Sequence, residues 1–100
     1  MGASELEYSA SIISQCSSNI TSEKNNLSSR VSIINLDNRD EENNITMQAF
    51  NVVNVELSAL TNLMDRIAEQ LREEASRLRQ AEEAAAREKA KQQAGAGASA

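Results

Sequence analysis

Apolar residues recur along this chain in alternating steps of three and four, in two runs separated by a polar stretch. The first run holds Leu6, Ala10, Ile13, Ser17, Ile20, Lys24, Leu27, Val31 and Ile34. Such steps keep side chains on one stripe of an α-helix, so the run predicts a helix over about residues 4–36. Ser17 and Lys24 alone interrupt the stripe. Ser4 and Glu7 have the spacing of a capping box, in which the hydroxyl accepts from a free amide and the carboxylate reaches back. The other faces are rich in Ser and Asn, mediocre helix formers, so this helix depends on tertiary packing.

The second run is longer: Phe50, Val53, Leu57, Leu60, Met64, Ile67, Leu71, Glu74, Leu78, Ala81 and Ala85. It predicts a helix over about residues 45–92. Ala49, Val52 and Leu63 widen its stripe, which implies that more than one surface is covered there. From Arg72 the composition turns to Ala, Glu, Arg, Lys and Gln, and Glu73–Arg77 and Glu83–Arg87 have the favourable i,i+4 order. Between the runs, residues 37–44 carry no apolar side chain and read as a loop, with Asn44 as the cap of the next helix. So short a break suits an antiparallel pair. The Ala, Gly and Ser of residues 93–100 read as a flexible tail.

The expected fold is therefore all-α: an antiparallel two-helix hairpin over residues 1–92 with a longer second helix. At about 1.5 Å per residue the arms span roughly 50 and 70 Å. The first then covers the second to around residue 76, and the rest projects. Two helices cannot bury stripes of this width, so a second hairpin is expected to complete a four-helix bundle. That second hairpin is either another copy, giving a homodimer, or the helical domain of a different protein. The side chains expected to meet it are Leu6, Ile13, Ile20, Leu27, Phe50, Val53, Leu57, Leu60, Met64, Ile67 and Leu71. Lys24 either sets register and partner choice from within the seam or snorkels out of it.

Composition narrows the function. The chain has 100 residues, no Pro, Trp or His, and only Tyr8 and Phe50 as aromatics, so a thin core and an elongated shape are expected. A formal charge of -5 with bases scattered among acids argues against nucleic acid as a partner. No segment has the roughly 18 apolar residues of a membrane span, and no secretory signal is evident. A cytoplasmic location, or export without a cleaved signal, is the expectation. Cys16 has no second cysteine to pair with and stands among Ile12, Ile13 and Ile20, so burial is expected of it. No metal or cofactor site is legible: there is no His, and Asp40, Glu41 and Glu42 lack the spacing of a calcium loop. Nothing resembles a nucleophile with its base or a phosphate loop, so a non-enzymatic protein is expected.

Unequal arms joined by a polar turn, at this length and without a signal, resemble the WXG-type helical hairpins of bacterial type VII secretion. The connection here contains neither Trp nor Gly. The nearer likeness is to the WXG-like targeting factors, called Lap proteins, that accompany LXG toxins in Gram-positive type VIIb systems. One subgroup carries Phe-x-x-x-Asp late in its second helix, and Leu78-Arg79-Gln80-Ala81-Glu82 is the nearest match. The resemblance implies a targeting factor or chaperone that binds the helical domain of a secreted toxin. It also implies that Leu78 and Glu82 present an export signal to a secretion ATPase through the C-terminal helix. A self-associating coiled-coil subunit and an adaptor of another secretion system are the other readings the sequence admits.

Overall fold

In the computed structural model the chain forms two antiparallel α-helices, α1 (Ala3–Asp37) and α2 (Glu41–Ser99). The structure describes residues 1–37 and 41–99, with side chains at 1–34 and 44–95. It is a hairpin with a longer second arm, as the two heptad runs predict. The rod measures 90 × 16 × 16 Å. Its length is that of α2 alone, whose 59 residues rise by about 1.5 Å each.

The helix ends depart from the sequence reading in three places. The Leu6 amide donates to the Gly2 carbonyl at 3.1 Å, which makes Gly2 the capping residue and puts Ser4 inside the first turn. The expected capping box does not form, and the Glu7 carboxylate accepts from Arg79 of α2 instead. α2 starts at Glu41, before the expected 45, so Asn44 lies within the helix and does not cap it. Acidic residues suit the amide-rich end of a helix, so the polarity read as loop also suits a first turn. Residues 38–40 of the expected loop lie outside the described residues. At the other end α2 runs on to Ser99, through the segment expected to be a flexible tail. Ala alternates there with Gly95 and Gly97, and Ala is the strongest helix former.

The contact between the arms is centred on small residues. The Ser17 hydroxyl donates to the Thr61 carbonyl oxygen across the pair at 3.3 Å, and both residues are buried. One heptad toward the free ends Ala10 and Ala68 are buried, and one heptad further Ala3 and Ala75. Side chains this short allow a close axial approach, which is why a hydroxyl on one helix reaches the backbone of the other. The Thr61 hydroxyl donates to the Ser58 carbonyl at 3.0 Å, so the polar layer is internally satisfied.

This corrects the sequence reading of α2. Its seam runs through Asn54, Thr61, Ala68 and Ala75, whereas Val53, Leu60, Ile67 and Glu74 are exposed. Phe50, Leu57, Met64, Leu71 and Leu78 belong to both registers and are half-buried. The steps between them are completed equally well by the residue before or after. Apolarity favours the residue before, and close packing favours the residue after. The first choice would bury Glu74, and the second buries Ala75, so charge burial and packing agree.

Burial is also uneven along the rod. Among the described residues, every buried side chain lies toward the free ends: Ala3, Leu6, Ala10 and Ser17 on α1, Thr61, Ala68 and Ala75 on α2. Leu6 forms a small cluster there with Ala3 and Ala75, against which Leu71 and Leu78 pack. Burying one Leu contributes about 2 kcal/mol, so this cluster anchors the closed end. Toward the connection Ile20, Lys24, Val31, Phe50 and Leu57 are half-buried, and Leu27 and Ile34 are exposed.

Candidate functional site

The hairpin has two unlike sides. At about 100° per residue, the large side chains of each arm stand to one side of its row of small ones. Because the arms are antiparallel, the same rotational sense on both puts these rows on the same side of the rod. The geometry bears this out where Ile20 and Leu27 of α1 and Leu57 of α2 line one hollow of about 450 Å³. The opposite side is polar toward the free ends, while nearer the connection it carries Val55, 69% exposed. In the polar part Arg79 Nε donates to Glu7 Oε1 at 2.6 Å, and Arg72 Nη2 donates to Ser14 Oγ at 2.9 Å. The Arg79 guanidinium holds the Glu7 carboxyl below its ordinary range, and Glu7 in turn raises Arg79.

The residues expected to bind a partner separate into three groups. Leu6 is buried inside the closed end and is spent on the hairpin's own fold. Ile13, Ile20, Phe50, Leu57, Met64 and Leu71 are half-buried, flanking the seam with part of each side chain open. Leu27, Val53, Leu60 and Ile67 are exposed, at 45%, 46%, 44% and 39% of their surface. The structure adds Ile12, Ile34, Ile45, Val52 and Leu63, which are equally open. Val52 and Leu63 had a signal in the sequence, because they widen the second stripe. Ile12 and Ile45 had none, since each stands outside its heptad row.

Large apolar side chains of both arms therefore leave an open strip beside the seam that the chain's own helices do not cover. Polar groups interrupt it near the middle. Lys24 is half-buried, its stem lines the hollow, and its Nζ donates to Ser58 Oγ at 2.8 Å. It stays within the seam and is not thrown clear of it. The Asn54 Oδ1 atom, one heptad from Thr61, is buried without a hydrogen-bond partner. Such an atom costs free energy where it stands, so this layer closes the hairpin less firmly than the alanine layers do.

Cys16 is exposed, contrary to the burial expected of it. Ile12, Ile13 and Ile20 share its side of α1, but that side stands about 100° from Ser17 at the seam and is turned away from the other arm. Leu78 and Glu82, the candidate export pair, are parted by the fold. Leu78 packs on the closed-end cluster, whereas Glu82 is exposed. From Arg79 to Gly95 every α2 residue is exposed. In that stretch Arg87 pairs with Glu83 at 3.3 Å as expected, whereas just before it Arg77 pairs with Glu74 at 3.3 Å, one residue nearer than the expected Glu73.

Among the described residues no group of three or more His, Cys, Asp or Glu side chains could hold a metal ion. Among the described residues no helix is long and apolar enough to cross a membrane. The chain matches no known protein family, no curated protein and no solved structure.

Proposed function

We propose that this chain is a non-enzymatic binding protein, half of a four-helix bundle whose other half is the helical domain of a secreted toxin. In this reading it acts as a targeting factor or chaperone that brings the toxin to a type VII secretion system. The observation that carries it is the open apolar face. Nine large apolar side chains from both arms stay 39–62% exposed: Ile12, Leu27, Ile34, Ile45, Val52, Val53, Leu60, Leu63 and Ile67. A stable protein interface covers roughly 800 Å² per partner, and both arms contribute open apolar side chains toward one. The projecting end of α2 is left free to meet a second protein, the secretion ATPase in this reading.

Co-expression tests it. With the helical domain of an LXG-type toxin the chain should elute as one stable complex, and Leu60→Glu should dissolve that complex while the helical content is kept. A monodisperse chain indifferent to such domains rules the reading out. If it is instead a tight homodimer that Leu60→Glu splits, the face belongs to a self-associating subunit. For the export signal, Glu82→Ala should reduce export and leave the complex intact. Leu78→Ala is the poorer probe, because Leu78 also holds the closed end together.

A further inference from the structure

The uneven burial divides the apolar face into two functional halves. Near the free ends the hairpin is closed by its alanine layers. Near the connection it offers the hollow of about 450 Å³ between Ile20, Leu27 and Leu57. The charges lining that hollow are Glu23, Lys24 and Arg30, a net positive set on a chain whose formal charge is -5. No ion pair is formed by any of the three among the described residues. The hollow is thus apolar at its floor, cationic on balance at its rim, and set in the part of the rod that has no buried side chain among the described residues.

We infer that the connection-side half is the docking site proper, and that its occupant is an amphipathic helix carrying a bulky apolar residue with a carboxylate within a turn of it. The bulky residue fills the space over Ile20, Leu27 and Leu57. The carboxylate answers Arg30 and the ammonium of Lys24, which donates to Ser58 Oγ and forms no ion pair among the described residues, and the incoming helix covers the Lys24 stem. A helix with basic flanks would put like charges together as water leaves the rim, which costs affinity. The terminal half then serves as a rigid handle, and the polar Lys24–Asn54 layer marks where handle gives way to site. This inference rests on the reading that the apolar face receives a helical partner, and it names where and with what chemistry.

The test uses the full chain and two labelled helical peptides of the same leucine heptad, one flanked by Glu and one by Lys. Fluorescence anisotropy should give the Glu-flanked peptide an affinity about tenfold higher at low salt, the margin shrinking as salt rises. Leu27→Glu should abolish binding of both, and Arg30→Glu should remove or reverse the preference. Both side chains are exposed, so neither variant threatens the fold, and circular dichroism checks this. Equal or tighter binding of the Lys-flanked peptide overturns the inference, as does Leu27→Glu binding like the parent. Binding of neither peptide also overturns it, and so does a homodimer in solution that Leu27→Glu dissolves. If the toxin domain binds with no such flank preference, the inference alone is lost and the targeting reading stands.

Discussion

Exchanging the roles of two neighbouring residues gives the sharpest check on how the arms meet. Glutamate can be placed at Ile67 or at Ala68. In the register the apolar pattern suggests, position 67 is core and 68 is surface. In the structure Ile67 keeps 39% of its surface exposed and Ala68 keeps 1%. Fully burying an Ile is worth about 2 kcal/mol, and Ile67 realises roughly three fifths of that, so Ile67→Glu should cost about 1 kcal/mol. Ala68→Glu inserts a carboxylate opposite Ala10, at a position that keeps 1% of its surface exposed. The charge must be desolvated or the helices must separate, at a cost of about 2–4 kcal/mol. Glu and Ala are both good helix formers, so propensity contributes little to the difference. Urea unfolding followed by circular dichroism at 222 nm, at concentrations where sedimentation shows a monomer, would give both values. The alanine seam is refuted if Ile67→Glu proves the more damaging of the two. The same Ile67→Glu variant should be the more damaging one for partner binding.

The closed end should loosen in acid. Arg79 depresses the Glu7 carboxyl, so the stability it adds is present above the ordinary range of a free glutamate and is lost as the pH falls through the lowered value. Protection of the first-turn amides of α1, measured against their intrinsic exchange at each pH, should fall in that window, and Glu7→Gln should remove this pH dependence. Cys16, exposed at the edge of the face, should react with a thiol reagent in the native state at nearly the rate of a free thiol, and partner binding should slow it. A reaction that waits for unfolding would contradict its placement. Ending the chain after Gln80 should leave the unfolding free energy within about 0.5 kcal/mol of the parent, since the side chains of residues 81–94 are exposed. A large loss would mean that the projecting end folds back.

The sequence by itself determined the helices, their order and their inequality. Alternating steps of three and four with no Pro leave little besides helix, and a polar break of a few residues turns the second arm back along the first. It also placed the buried Leu6 and the half-buried rows, Ile13 and Ile20 on α1 and Phe50, Leu57, Met64, Leu71 and Leu78 on α2, because those positions fall in the seam's neighbourhood in either register. The register itself was a tertiary decision. Val53, Leu60 and Ile67 are more apolar than Asn54, Thr61 and Ala68, and pattern alone prefers them. What reverses the preference is a relation between two helices: Ala3, Ala10 and Ser17 are short, and opposing them with Ala75, Ala68 and Thr61 brings the axes close. A single helix holds no record of what will face it, so Glu7 was read as a cap before Arg79 was in reach, and Cys16 as buried before its side of α1 was known. By taking the small residues into the seam, the fold turns the large ones outward, and the apolar face proposed as the binding surface is the physical result.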